Sequence, residues 1–164
     1  MDRLYTPWRY DYIKGATGEK SGPDAACVFC HLRDRPEDDE RNFVVGRARH
    51  NFVVLNIYPY VSGHLLIVPL EHAPELDAVS KQATDELMDI TKRSLALLRD
   101  AYRPHGFNLG MNLGQAAGAG VADHVHLHVM PRWLGDANFM TTVGETRVLP
   151  EDLRTTYDRL KGKF

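Results

Sequence analysis

The stretch His124-Val125-His126-Leu127-His128-Val129 constrains this chain more than any other, because three histidines recur at strict period two with apolar residues between them. Successive side chains of a β-strand point to opposite faces, so the three imidazoles share one face, about 6–7 Å apart in steps of two residues. Val125, Leu127 and Val129 bury on the other. Neither a solvated strand nor an inert core has a use for such a row. Pro131 is expected to stop the strand, since it has no N–H to give to a ladder. The small-residue run Gly114 to Gly120 comes shortly before it.

The remaining elements follow from periodicity and punctuation. Phe43–Gly46 and Phe52–Ile57 are rich in β-branched residues and read as strands. The turn residues Tyr58-Pro59-Tyr60-Val61-Ser62-Gly63 lead to a third strand, His64–Val68, ended by Pro69. From Ser80 to Tyr102 the period changes: Ala83, Leu87, Ile90, Leu97, Leu98 and Ala101 take helical spacing, with Ser80 as N-cap and Pro104 with Gly106 beyond the end. Phe107–Leu113 returns to strand, with Asn108 and Asn112 on it. Met140–Val148 reads as a short extended piece, and Pro150 to Lys161 as a C-terminal helix with Pro150 near its first turn. The sum is an α+β fold, an antiparallel sheet of about five strands with one long helix and a C-terminal helix.

We expect residues 1–164 to form one domain, with 1–26 as an N-terminal extension and 150–164 as the helical C-terminus. Residues 4–13 are aromatic and too short to fold alone, so Trp8 and Tyr10 are expected to lie across the domain or a partner subunit. Lys14 to Asp24 reads as loop, and the charge run Arg33 to Arg41 as a solvated one. A net charge of −2 leaves no general basic face for nucleic acid. With no apolar run near 18 residues and no signal-peptide pattern, the expectation is a cytoplasmic protein without a membrane partner. The two cysteines, Cys27 and Cys30, form a C-x-x-C. In a reducing compartment that spacing suggests a metal or a redox pair more than a structural disulfide.

Three neighbouring imidazoles can bind a metal or handle a phosphate. A three-histidine zinc site needs its nitrogens to converge, which side chains standing side by side on one strand do poorly. Phosphoryl chemistry fits better: one imidazole attacks phosphorus, a neighbour orients it, another donates to phosphate oxygens. The loop Gly114-Gln115-Ala116-Ala117-Gly118-Ala119-Gly120 supports this, because small residues let backbone N–H groups approach an anion.

His124-Val-His126-Leu-His128-Val-Met resembles the signature of the histidine triad (HIT) family, His-φ-His-φ-His-φ-φ with φ apolar. The resemblance takes in Asn56 eight residues before His64, Pro69, Asn112 with its small-residue loop, and Pro131-Arg132. Leu4-Tyr-Thr-Pro-Trp-Arg, Arg103-Pro-His-Gly-Phe-Asn and Arg132-Trp-Leu-Gly-Asp-Ala-Asn-Phe look like bacterial members of the diadenosine tetraphosphate phosphorylase or hydrolase type. The resemblance implies a HIT-like sheet paired across a homodimer and a purine nucleotide or dinucleoside polyphosphate as substrate. It implies His126 as nucleophile forming a nucleotidyl-histidine, oriented by His124, with His128 on the phosphate or leaving group and His64 assisting. Asn56 is then expected to hold ribose, and Asn112, Gln115 and the Gly118, Ala119 and Gly120 backbone to hold phosphate. Phosphorylases of this type carry a small hydroxyl residue where this chain has Gly120, which leaves water or phosphate open as acceptor, and a nucleoside phosphoramidase or a slow-turnover nucleotide-binding protein remains an alternative. Cys27, Cys30, His72 and His124 match the positions of a structural zinc in several relatives. No organic cofactor is implied. Trp133 is either a buried aromatic capping the sheet or a wall near a second nucleotide. His31 and His50 read as surface histidines, and His105 as structural.

Overall fold

A computed structural model of the protein describes residues 27–146 and 148–164. The expectations for the aromatic stretch 4–13 and the loop 14–24 lie outside them. Five strands form one antiparallel sheet: β1 (Val44–Arg47), β2 (Asn51–Leu55), β3 (Leu65–Pro69), β4 (Gly106–Gly110) and β5 (Leu127–Arg132), in the order β1-β2-β3-β5-β4. The helices are α1 (Val28–Arg33), α2 (Lys81–Tyr102), α3 (Phe139–Thr142) and α4 (Leu153–Leu160).

Strands β2 and β3 are buried along their whole length, as expected of strands covered on both faces. Alternate residues go to two different layers. Val53, Leu55, Leu65, Ile67, Leu127 and Val129 pack with Leu87, Ile90 and Leu98 of α2, and with Tyr157 and Leu160 of α4. Phe52, Val54, Leu66 and Val68 pack with Phe29 and Leu32 of α1 and with the two cysteines. Each fully buried Leu or Ile in these layers contributes about 1.5–3 kcal/mol. His126 and His128 alternate with Leu127 and Val129, so they are on the α1 side.

Helix α2 starts where Ser80 caps it, the hydroxyl accepting from the Ala83 N–H. It ends on Arg103 in the left-handed conformation, so the stop comes before Gly106. Its buried stripe includes Thr91 and Ser94, whose hydroxyls donate to the Leu87 and Ile90 carbonyls and so need no solvent.

Several boundaries differ from expectation. The strand carrying the histidines begins at Leu127, so His124 and His126 precede it, and it passes through Pro131 to Arg132. Pairing with β3 ends at Val129, and Pro131 faces Phe107 of β4 alone, so the missing N–H costs no bond on the β3 side. Strand β4 stops at Gly110, leaving Asn112 on the following loop. Within 140–148 the chain starts as the short helix α3, capped by the Asn138 side chain, where an extended piece was expected. Asp152, not Pro150, opens α4, its carboxylate accepting from the Thr155 N–H. The charge run after α1 contains a 3-10 turn, Pro36–Asp38, and Asp39 pairs with Arg47 at 2.6 Å.

Candidate functional site

The histidine stretch divides at its first member. His124 is completely buried, and its Nε2–H donates to the Pro69 carbonyl at 2.9 Å. A carbonyl only accepts, so the proton is on Nε2 and the Nδ1 lone pair is free to ligate. That Nδ1 lies 3.3 Å from Cys27 Sγ and 3.7 Å from Cys30 Sγ, and Cys30 Sγ lies 3.1 Å from His72 Nδ1. The four ligand atoms are all within 4.8 Å of one another. A tetrahedral ion with about 2.3 Å to sulfur and about 2.0–2.1 Å to nitrogen separates S from N by about 3.6 Å. The observed edges fit that figure, and no disulfide joins the two sulfurs. The cluster can therefore hold a metal. Helix α1 brings the two thiols to it, and its Phe29 ring lies against His124 at 5.5 Å and His126 at 4.9 Å between centroids.

The other two triad members and His64 form a chain of hydrogen bonds whose direction can be worked out. The Asn56 amide is oriented by its Oδ1, which accepts from the Tyr58 N–H. Its Nδ2 lies 3.4 Å from His64 Nδ1, and the Tyr60 N–H donates to the same nitrogen at 3.2 Å. His64 Nδ1 is thus an acceptor, and its proton is on Nε2, 2.9 Å from His128 Nδ1. That proton is donated to His128, which places the His128 proton on its own Nε2. In His126 the order is reversed in effect: Nδ1–H donates to the His124 carbonyl at 2.9 Å, leaving the Nε2 lone pair bare.

Burial disfavours the charged forms of His64 and His126. Burial, with His128 and His126 nearby, pushes His64 down to about 3. Burial also lowers His126, partly offset by its bond to the His124 carbonyl. Gly63 makes the approach of His64 possible: its φ is +76°, and a Cβ there would meet Leu98, Tyr102 and Pro131 at 3.2–3.3 Å.

A cavity of about 550 Å³ opens beside the triad, within the range of small-molecule pockets. His126, His128, Asn56, Asn112, Gly118 and Gly120 line it, together with an apolar wall built from α1, β2 and β3. Gln115 and Ala119 are on the same loop but outside the lining. The Gly118 and Ala119 N–H groups donate within the loop, to the Gln115 and Gly114 carbonyls. Trp133 is also outside it. Its ring meets Tyr102 edge-to-face and its Nε1–H donates to the Tyr102 carbonyl at 3.4 Å. His31 is exposed, and His105 accepts from the Leu134 N–H. Some lining residues carried no sequence signal. Tyr60, read only as a turn residue, stacks at 10° on His128, and Arg41, read as part of a solvated run, reaches the cavity.

The chain is similar to several known proteins. Residues 37–133 match the HIT domain family. The AP-4-A phosphorylase of Mycobacterium tuberculosis is 40% identical over 157 residues, 95% of this chain and 80% of that protein. The adenosine 5'-monophosphoramidase HNT1 of Saccharomyces cerevisiae is 31% identical over 66% of this chain and 64% of its own length. Among solved structures, a Zn-bound histidine triad family protein from Mycobacterium smegmatis superposes with a TM-score of 0.68 at 26% identity, covering 87% of this chain and 94% of that one. With likeness in sequence over nearly the whole chain and in fold over most of it, the chain belongs to the HIT family.

Proposed function

We propose that the protein cleaves dinucleoside polyphosphates such as diadenosine tetraphosphate at the α-phosphorus, through a nucleotidyl-His126 intermediate. The observation that carries this reading is the proton order in the site: a bare nitrogen on His126 beside a protonated nitrogen on His128. The His126 Nε2 lone pair attacks phosphorus, a P–N bond forms, and the P–O bond to the leaving phosphate chain breaks. His128 Nε2–H donates to phosphate or to the departing oxygen, and His64 holds it in that tautomer. Water or inorganic phosphate then takes the nucleotide from His126. Asn56 and Asn112, at the cavity edge, are suited to ribose and phosphate, and the apolar wall to a purine. The similarity to the M. tuberculosis AP-4-A phosphorylase supports the substrate class.

For the cysteine cluster we propose a structural zinc held by Cys27, Cys30, His72 and His124, supported by the ligand spacing and by the Zn-bound M. smegmatis relative. Zinc supplies directed bonds that tie α1 to the start of the histidine stretch. No helix among the described residues is long and apolar enough to cross a membrane. Strand β4 is at an edge of the sheet with Asn108, Leu109 and Gly110 exposed, which supports pairing of two sheets in a homodimer.

Product analysis on diadenosine tetraphosphate, with and without phosphate, tests the reaction. ADP plus ATP marks phosphorolysis and AMP plus ATP marks hydrolysis. No nucleotide products, with His126→Ala indistinguishable from wild type, sinks the proposal. A nucleoside phosphoramidase is the second reading, favoured by the similarity to the yeast monophosphoramidase. Faster turnover of adenosine 5'-phosphoramidate than of the dinucleotide would select it.

A further inference from the structure

The family match ends at residue 133, yet the C-terminal residues beyond it support one wall of the cavity. Phe43 lines that cavity with φ at +58°. A bulky residue adopts this left-handed conformation only where its surroundings impose it. Its carbonyl accepts from the Leu55 N–H at 3.0 Å. Its ring meets Tyr157 of α4 edge-to-face, centroids 5.8 Å apart at 70°. Tyr157 is buried, with the Arg154 guanidinium and the Lys161 ammonium over its ring.

Two further contacts hold the same stretch. Glu40, three residues before Phe43, pairs with Arg154 at 2.6 Å and lies 4.0 Å from Lys161. On β1, Gly46 admits the C-terminal Phe164, whose Cβ lies 2.4 Å from where a Gly46 Cβ would be. The C-terminus thus touches residues 40, 43 and 46, and between them Arg41, Asn42 and Phe43 line the cavity. The imidazoles of His64, His126 and His128 take their bonds elsewhere, from Tyr60, the His124 carbonyl and one another.

We propose that α4 sets the shape of the cavity's apolar wall, with Tyr157 as a positioning residue that acts through Phe43 on the nucleobase. This rests on the nucleotide reading above. Phe43 lines the cavity beside Val28, Phe29, Leu32, Val54 and Leu66, while its ring packs in the layer of Leu55 and Tyr157; the wall is a surface suited to a flat heteroaromatic ring. Losing the Tyr157 ring lets Phe43 relax out of its left-handed conformation and opens the wall, while the His126 nucleophile is untouched. Binding weakens and the chemical step does not.

The test combines calorimetric AMP binding, kinetics on diadenosine tetraphosphate and thermal melting for Tyr157→Phe, Tyr157→Leu and the pair Arg154→Ala/Lys161→Ala. Tyr157→Leu should raise the AMP Kd and the KM about three- to tenfold, with kcat within about twofold of wild type. Tyr157→Phe keeps the ring and should bind AMP as wild type does. The Arg154/Lys161 pair, which leaves the core intact, should shift Kd in the same direction by a smaller factor, and it carries the test if Tyr157→Leu does not fold. A lowered Tm with unchanged Kd in these variants overturns the proposal. Wild type that binds AMP but turns over no dinucleotide sinks the cleavage reading, while the Kd comparison still decides this one. Wild type that binds no AMP removes the nucleobase wall altogether.

Discussion

His124 and His126 are two residues apart, and both donate one ring N–H to a backbone carbonyl, but their free nitrogens face different surroundings. In His124 the donor is Nε2, to Pro69, so Nδ1 turns into a cluster of two thiols and a second imidazole. In His126 the donor is Nδ1, to His124 itself, so Nε2 is left for the cavity. The choice of carbonyl decides which nitrogen is available, toward the cysteine cluster in His124 and toward the cavity in His126. Helix α1 spans both regions, giving its cysteines to the cluster and Val28, Phe29 and Leu32 to the cavity wall.

The largest expected difference is chemical. His126→Ala should reduce turnover by about four orders of magnitude or more, with AMP binding retained, as single-turnover kinetics and calorimetry would show. Equal loss of binding and turnover would mean that the ring only shapes the pocket.

Removing the cluster should act on the fold first. Cys30→Ser or His72→Ala should abolish bound zinc by elemental analysis and cost about 3 kcal/mol, near 10 °C in Tm. Turnover measured well below the new Tm should fall far less than in His126→Ala. A chelator that stops turnover at once without moving Tm would place the metal in the reaction instead.

His64 lies between these extremes. His64→Phe removes the proton that fixes the His128 tautomer, and kcat should fall about a hundredfold with KM little changed. The pH effect is smaller. His64 is held at about 3 when folded against an ordinary value of 6.5. Between those values the unfolded chain binds the extra proton, so stability is present above about 6.5 and is lost as pH falls toward 3. For this one group the slope reaches at most about 1.4 kcal/mol per pH unit. Denaturant midpoints for wild type and His64→Gln between pH 7 and 5 should converge on acidification, and parallel curves would contradict the assignment.

Much of this division was legible in the chain. Period two put His126 and His128 on one face and Leu127 and Val129 on the other, the C-x-x-C suggested a metal or a redox pair, and the family resemblance added His72 and His124 as ligands. What was not legible depends on contacts made across the fold. Thr91 and Ser94 look like solvent-facing residues until their hydroxyls are seen bonded to the preceding turn. Tyr60 belongs to a stretch that reads only as a turn, and its stacking on His128 comes from where β3 lies beside β5. Pro131 breaks a strand by local rules, and only the early end of the β3 ladder lets it stay in one. Arg41 and Phe43 reach the cavity in part because the C-terminus holds them there, a dependence over more than a hundred residues that no local pattern records.

The most direct measurement is peptide mapping of the protein quenched during turnover of labelled diadenosine tetraphosphate, under conditions that preserve P–N bonds. The predicted result is a single adenylyl group on His126, with none on His124 or His128. Turnover with the label on another residue, or with no covalent label at any time point, would contradict the division between a ligating His124 and an attacking His126.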